Sequence, residues 1–514
     1  MAPAGNAYFG TALLPLAGRR GWLARHILRP RGNSVVKRSS LVVLLVSGTL
    51  VASAAGAARV SAAPEAPSGN QNVIVLLRNQ HADTPASKAE SAQRTALVTA
   101  DQSPLRAKVA QLKGHVTHAY RALNALAATV PASAVAGLRS DPSVAAVVPD
   151  LNRTLPARPE KASTAAAGTS AASTAGLCPT DPSKPQLEPE ALGLTHTASD
   201  DPHAQTARSL GYDGKGVKVA FIADGLDVNQ PDFIRADGSH VITDYQDFTG
   251  DGINADSNGA EAFGDAGSIA AQGRQTYDIS RFVNPAHPLP AGCNIRIEGF
   301  APGVSVVALK IFSNALLTAP TSTIIQAIDY AVNVAHVDVI NESFGSNPYP
   351  DTADDPVSQF NHDAVDAGVT VVGDTGDAGI GNTYGTAGSD PWVIGAGGST
   401  SERVYAQQGS YGFPLSNGHW TSNQVSALSG AGISQTNKVM DALAPGDLGW
   451  SLCSAKKNAA GDEQYNGCVD DKGQPTNMQV FGGTSQSTPF ISGESALIIQ
   501  AYRSTHHGAS PSPA

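Results

Sequence analysis

The sequence predicts an α/β protein, a doubly wound parallel sheet preceded by a small α+β unit, and three observations carry that expectation. After Gln186, short apolar strand segments alternate with helical ones: Val217–Ile222, Val304–Ile311, Ile324–Val334, Val337–Ile340, Ala364–Val372 and Thr488–Arg503. Such alternation marks a parallel sheet covered on both faces. Residues 72–150 carry a separate strand and helix pattern of their own. Between the two regions lies Ala157–Gly176, a tract of Ala, Ser and Thr with little to bury, expected to be a flexible linker that a protease can reach. No repeat of fixed period is present.

Taken in chain order, residues 1–63 are expected to be an N-terminal extension and export signal. Lys37-Arg38 give a positive flank, Leu41–Ala58 an apolar stretch, and Ala55-Gly56-Ala57 a cleavage site of small residues. The stretch approaches the length of a membrane span, but its Ala, Gly and Ser content favours a cleaved signal over a retained anchor. The Arg-rich first 34 residues are unusual before such a signal and point to a start at Val35 or Val36, read from a non-ATG codon. In the small α+β unit, Val73–Leu77, Thr117–Leu126 and Val144–Val148 read as strands, and Pro104–Leu112 and Pro131–Arg139 as helices. Residues 151–185 are then the linker and 186–505 the large domain.

A chain of 514 residues has room for two or three domains, and 41 % hydrophobic content supplies a large core. The net charge of −10 argues against a nucleic-acid partner, which calls for a basic stripe. Cys178, Cys293, Cys453 and Cys468 form no C-x-x-C motif. In an exported protein two disulfides are expected. Four cysteines allow three pairings; the separations suggest Cys453–Cys468 as a local loop and Cys178–Cys293 as a long one, with free buried thiols as the alternative.

The strongest chemical signal is Gly482-Gly483-Thr484-Ser485-Gln486-Ser487-Thr488-Pro489, followed by the apolar run Phe490–Ala501. The glycines let the backbone approach a substrate closely, and Pro489 suits the first turn of a helix. Ser485 is then a nucleophile just before a helix N-terminus, where N–H groups and the dipole favour a developing oxyanion. A Gly-Ser turn that only caps a helix is the alternative.

Over roughly residues 200–505 these features resemble the subtilase superfamily of serine peptidases, whose serine motif reads G-T-S-x-x-T-P. Gly214–Ile222 is similar to the family's first core strand, Gly299–Val304 to its G-V-A-P-x-A turn, and Val337–Gly345 to its D-V-I-N-x-S-L-G substrate strand. Asn72–Asp150 resembles the inhibitory propeptide. The resemblance implies a subtilisin-like fold, peptide and protein substrates, an intramolecular inhibitor, secretion as a monomer, and no organic cofactor or membrane attachment after signal removal. It also implies that Ser343, Phe344 and Gly345 line an edge that pairs with extended peptide; an ordinary sheet strand is the bland reading.

Three departures redirect the chemistry. Asp224 stands one residue after the family's aspartate position, which Ala223 occupies, and on a strand that shift reverses the side chain unless a bulge corrects it. Where H-G-T-H-V-A-G should follow, the chain has Glu261-Ala262-Phe263-Gly264-Asp265-Ala266-Gly267; a simple alignment puts Asp265 at the histidine. None of the 13 histidines lies in a matching motif, and His240, His287, His336 and His362 read as surface or packing residues. A Ser-His-Asp triad needs imidazole as its base.

Sedolisins, the serine-carboxyl peptidases, replace that histidine by glutamate with an aspartate four residues on, and the oxyanion asparagine by aspartate in S-G-D-x-G. Glu261-x-x-x-Asp265 has the first spacing, on one helix face if helical, and Asp377 in Gly373-Asp374-Thr375-Gly376-Asp377-Ala378-Gly379 matches the second. The resemblance implies that Glu261 or Asp265 is the base, Asp224 or Asp265 its orienter, and Asp377 a protonated oxyanion donor, with an acidic optimum. Each carboxylate alone reads equally as a cap or solvated turn, and Asp374 as structural. Asp244, Asp247, Asp251, Asp256 and Asn258 form an acidic loop that suits Ca²⁺ or simple solvation. Two rivals stand: a pseudopeptidase kept as a binding module, and a subtilase served by a distant histidine. The 29 residues after Ser485, ending in His506–Ala514, read as a truncation point.

Overall fold

The first strand, β1 (Asn70–Leu77), feeds two cores at once. Val73, Val75 and Leu77 pack into the core of the small N-terminal unit, whereas Ile74 and Leu76 join a cluster on the large domain. Strand side chains alternate between faces, so a continuous apolar run serves both. The computed structural model describes residues 69–154, 176–253, 255–282, 288–314, 318–345, 355–379, 387–408, 422–430, 438, 440–470 and 472–513. All of these lie in one compact unit, Pro64–Ala514. The expected export signal and most of the expected Ala-rich tract lie outside the described residues.

After β1 come α1 (Ser91–Gln111), β2 (His115–Ala119), β3 (Ala125–Pro131), α2 (Val135–Arg139) and β4 (Val144–Pro149). The strands form an antiparallel sheet in the order β2-β3-β1-β4. Two expectations change here. The helix starts thirteen residues before Pro104, which sits inside it, and Thr117–Leu126 is the junction of two strands. The buried Arg94 organises the turn between them. Its guanidinium donates to the carbonyls of Arg121 (2.9 Å), Thr84 (2.7 Å), His81 (3.1 Å) and Ala122. An arginine seldom enters a core unless every donor is used.

The expected linker does not begin as one. Its first residues form β5 (Asn152–Thr154), antiparallel to Thr318–Pro320. At its far end Cys178 is bonded to Cys293, with Cα atoms 4.8 Å apart. Cys453 and Cys468 form the second bridge, at 5.4 Å, so the structure adopts the pairing that the separations suggest.

The large domain contains β6 (Lys218–Ala223), β7 (Ile242–Asp247), α3 (Glu261–Ala270), β8 (Ser305–Lys310), β9 (Thr318–Pro320), α4 (Thr321–Tyr330), β10 (Val339–Glu342), α5 (Pro356–Asp366), β11 (Thr370–Asp374), β12 (Ile394–Gly398), β13 (Ala442–Ala444), β14 (Leu448–Leu452), β15 (Met478–Gly482) and α6 (Thr484–Thr505). Its main sheet runs β13-β12-β11-β10-β6-β8-β7, parallel throughout. Val219, Phe221 and Ala223 of β6 pack toward α3 and α6. Ala220 and Ile222 pack toward α4, α5 and the N-terminal unit. The sheet is therefore doubly wound, as expected. From β6 the chain builds outward first through β8 and β7, then on the other side from β10. In open α/β sheets ligands bind at the strands' carboxyl ends where the order reverses, here after Ala223 and Glu342.

Small residues bring α3 close to its neighbours. A Cβ on Gly264 would lie 2.4 Å from the Phe481 ring, and one on Gly267 2.5 Å from Ser451 Oγ. At the other end, the N–H groups of Gly299, Phe300 and Ala301 donate to the carbonyls of Ala271, Ser268 and Ile269 and cap the helix. Phe300 then stacks on Phe490 of α6, ring centroids 4.4 Å apart. A Cβ at Gly299 would fall 2.3 Å from Ala270 N, against backbone that cannot yield. Gly299→Ala is expected to cost roughly 1–3 kcal/mol, seen as a lower urea midpoint at unchanged m-value. Gly193→Ala, with nothing within 4 Å of its Cβ, should stay within about 0.5 kcal/mol.

Candidate active site

The turn that delivers Ser485 is a packing problem solved by two glycines. Gly483 adopts φ +93°, which side-chain-bearing residues avoid. A Cβ there would lie 2.4 Å from Asp377 Oδ2, and a Cβ on Gly482 would lie 2.4 Å from the Asp447 carbonyl. Gly483 N donates to that same carbonyl at 2.9 Å. The helix begins at once, so Ser485 is its second residue, only 5 % exposed. The expectation that Pro489 opens the helix is corrected, since it lies inside α6. Its ring replaces the N–H that would otherwise pair with the Ser485 carbonyl.

Asp377 and Asp374 meet at Thr484. Asp377 Oδ1 accepts from Thr484 N at 2.8 Å and from Thr484 Oγ1 at 2.9 Å. Asp374 Oδ2 lies 3.4 Å from the same hydroxyl. Burial raises the proton affinity of both carboxyls; for Asp374 the neighbouring Asp377 adds to it, and the Thr484 bonds oppose it in both. Asp377 keeps part of its surface open, whereas Asp374 is enclosed. Asp447 completes the ring of acids around the turn: burial pushes it up to about 6 against bonds from Tyr405 and Ser426.

At the carboxyl end of β6 Asp224 reaches α3. Strand parity would turn it to the opposite face from Ala223, but β6 ends at Ala223, and the side chain follows the loop instead. No bulge is needed. Its Oδ1 accepts from Ala262 N at 2.7 Å and its Oδ2 from Ser257 Oγ at 3.3 Å. Asp224 thereby caps, from the loop after β6, a helix whose own N-cap, Ala260, has no side-chain bond to offer.

Glu261 opens that helix and Asp265 follows one turn later. Ending both motifs on their common Ala-Gly puts Glu261, not Asp265, opposite the histidine that opens H-G-T-H-V-A-G. Asp265 is completely buried. Burial holds its carboxyl well above the usual range; Glu261 and Asp224 add to this, and Ser343 and Asn341 act against it. Neither of its oxygens has a partner at hydrogen-bonding distance.

Ser343, expected to touch substrate, turns inward: it is 1 % exposed, and its Oγ accepts from Asn341 Nδ2 at 2.9 Å. Phe344 is 5 % exposed and meets Phe312 edge to face, centroids 5.9 Å apart. Any pairing with a peptide along Ser343–Gly345 therefore rests on backbone. The acidic loop does not converge. Asp244 accepts from Tyr330 and Gln246, Asp247 from Thr249 and Gly252, Asp251 from Lys310 and Asn314, and Asp256 from Asn458. Among the described residues no group of three or more His, Cys, Asp or Glu side chains gathers to hold a metal.

Sequence reasoning missed Thr484, Asn341 and Asp447. Thr484 adjoins the nucleophile and Asn341 lies inside the substrate-strand motif, so both were within reach. Nothing local marks Asp447, whose role comes from a turn that folds back on Gly483.

Residues 214–512 match the model of the subtilase family, peptidase S8. Subtilisin E of Bacillus subtilis (strain 168) is 26 % identical over 401 residues, covering 77 % of this chain and 75 % of that protein. Subtilisin of Bacillus pumilus is 26 % identical over 306 residues, covering 58 % of this chain and 82 % of its own. The minor extracellular protease Vpr of Bacillus subtilis (strain 168) is 26 % identical over 211 residues, 39 % of this chain and 21 % of that protein. With its parallel sheet and its glycine-turn serine at a helix N-terminus, this chain belongs to the subtilase family and so to the serine-type peptidases.

Proposed function

We propose that this chain is a secreted endopeptidase that works through an acyl-enzyme on Ser485, with carboxyl groups in place of imidazole and an acidic optimum. The observation that carries the reading is Asp265, a carboxyl wholly inside the protein with Glu261 and Asp224 acting on it at the carboxyl ends of the central strands. Its likeness to the serine-carboxyl peptidases at Glu261, Asp265 and Asp377 supports the same reading.

In the proposed reaction, Ser485 Oγ bonds to the scissile carbonyl carbon and its proton passes to ionised Glu261, while Asp265 shares the pair's remaining proton with Glu261. The carbonyl electrons move to oxygen, which accepts a hydrogen bond from protonated Asp377. Oδ1 of Asp377 is taken by Thr484, which leaves Oδ2 to carry that proton. The C–N bond then breaks and the amine departs with the proton from Glu261. Water next gives its proton to Glu261 and its oxygen to the acyl carbon, and Ser485 leaves with the proton returned. Glu261 must be ionised and Asp377 protonated, so activity falls on both sides of an acidic maximum.

Three of the four histidines weighed from the sequence already have partners of their own. His240 bonds to the Val228 carbonyl, His336 to the Val332 carbonyl, and His362 to Asp390; His287 lies outside the described residues. We read residues 72–150 as the chain's own inhibitor. Asp150 accepts from Ser322 N at 2.8 Å and Oγ at 2.6 Å, at the start of α4, and Asp329 of α4 accepts from the N–H groups of Arg121 and Ala122. Both disulfides and the name of Vpr support export.

Peptide cleavage by matured protein should peak below neutral pH. Ser485→Ala and Glu261→Gln should each lower kcat/KM by at least about 10³-fold. Asp377→Asn keeps a donor that does not titrate, so it should retain activity and extend it toward neutral pH; Asp377→Ala should lose roughly 10²–10³-fold. No cleavage between about pH 3 and 8 would establish the pseudopeptidase instead.

The buried carboxyls also set how stability depends on pH. Burial pushes Glu342 up to about 7 against its bond from Asn361, and Asp363 up to about 7 against Arg94. With Asp447, they keep protons in the folded state that unfolding would release, so stability falls as pH rises from the ordinary carboxylate range to about 7. Asp141, drawn down to about 2 by Lys108 and Ser143, acts in the opposite sense and loses its contribution below that range. The intact Ser485→Ala chain should therefore melt at a higher Tm near about pH 5 than near about pH 7.5, measured by calorimetry. A Tm that rises across that interval contradicts the reading.

A further inference from the structure

Residues 150–154 lie along the large domain as an extended peptide would. After the Asp150 bonds to Ser322, the Leu151 carbonyl accepts from Thr321 N at 2.8 Å and from Thr321 Oγ1 at 2.9 Å. β5 then pairs antiparallel with β9, with Arg153 opposite Ala319. These two strands form a sheet of their own, so β9 has no other strand partner among the described residues. Leu151 and Asn152 are exposed, whereas Arg153 is only 8 % exposed. Its Nη2 donates to Asp355 Oδ1 at 3.0 Å and Oδ2 at 3.3 Å. Asp355 is held in place separately: Oδ1 also accepts from Val357 N at 3.1 Å and so caps α5. That helix connects β10 to its parallel neighbour β11, and it runs back along the sheet. Its start therefore lies at the carboxyl ends of the strands, where the fold places its crevice.

We propose that β9 and Asp355 form a substrate subsite for a basic side chain, which Arg153 occupies in the intact chain. The matured enzyme then selects peptides that carry arginine at one fixed distance from the scissile bond. This rests on the peptidase reading given above, and not on which group serves as base. An extended peptide gains main-chain bonds from an open edge, and a pocket beside that edge reads one side chain. Successive side chains of a strand face opposite ways, so only the position of Arg153 is read and its neighbour Asn152 stays in solvent. Asp355 is fixed by α5 before any peptide arrives, so little freedom is lost on binding. Glu342, fully buried at the end of β10, adds to the negative surroundings: its Oε2 accepts from Asn361 of α5 at 2.9 Å, and its Oε1 has no partner at hydrogen-bonding distance. Asp390, also buried, is bonded to His362 and Ser358. An apolar side chain in this place would leave the Asp355 charge enclosed without a cation, and an acidic one would set like charges together. Arginine suits it better than lysine, whose ammonium is a more strongly hydrated point charge.

The first measurement uses the full chain carrying Ser485→Ala and follows backbone hydrogen exchange across residues 150–154 and 318–321. Arg153→Leu should lower protection there by about 10–100-fold, the size of one lost hydrogen bond to a charged group. Arg153→Lys should lower it less and Arg153→Glu more, with exchange in the main sheet unchanged as the sign of an intact fold. The second measurement uses matured enzyme on a mixture of random peptides. The bonds cut should share arginine or lysine at one constant distance, and leucine at that position should lower kcat/KM by about 10–100-fold. Asp355→Asn, which can still cap α5, should shrink the preference for arginine over leucine by about 10-fold. Protection in Arg153→Leu and Arg153→Glu equal to that of the parent chain overturns the proposal whatever the activity does. Lost protection with no basic residue shared among the cut bonds confines the pocket to the inhibitor and overturns it as a substrate subsite. No cleavage of any peptide overturns the peptidase reading, and the subsite with it.

Discussion

Carboxyl groups packed closely in a dry interior each hold their protons more tightly than they would in water, and the site is built around that constraint. Asp265 gathers with Glu261 and Asp224 at α3, and Asp374, Asp377 and Asp447 lie around the serine turn. Such a set cannot all be charged at once. Backbone N–H groups hold two of these carboxyls in place, and such bonds favour the charged form that burial opposes. Asp224 is tied to the start of α3, and Asp377 to the start of α6. Each helix that carries reactive groups is held by an aspartate from the loop that follows a different strand.

The opposite face of the sheet carries a second division of roles. There α4 and α5 pack beneath a unit whose first strand contributes Ile74 and Leu76 to their apolar cluster. Polar anchoring runs in both directions, since Asp150 reaches into the large domain and Asp329 reaches out of it. The Arg153–Asp355 pair, N to O 3.0 Å, adds a further tie beside α5. Burial of the two units against each other is thus specified by named polar contacts as well as by area.

Much of this fold was legible in the sequence, because apolar runs of strand length separated by helical segments leave few other arrangements. The serine turn was legible because Gly-Gly before Thr-Ser has a steric reason, and both disulfides followed from spacing. The helix boundaries were not. Pro104 and Pro489 both lie within helices, where packing overrides the cost of a missing bond. Asp224 was misread as a strand residue because one cannot see from sequence that β6 stops at Ala223. Ser343 was taken for a substrate contact because its motif names a strand, and only the packed structure turns its hydroxyl toward Asn341. The acidic loop looked like a cation site because sequence shows carboxylates but not the donors, such as Lys310, that already occupy them.

Pro489 has a consequence for tolerance to change. Because it removes the helical partner of the Ser485 carbonyl, the nucleophile's position is inherited from the loops that touch the first turn and owes little to the length of helix behind it. Alterations far along α6, near Ile498 on its exposed side, should leave the serine where it is. Alterations in the 374–377 or 445–447 turns would move it, although neither turn contains a nucleophile or a base. Positions that matter to the reaction then lie just after strands β11 and β13, in segments that look like ordinary connectors.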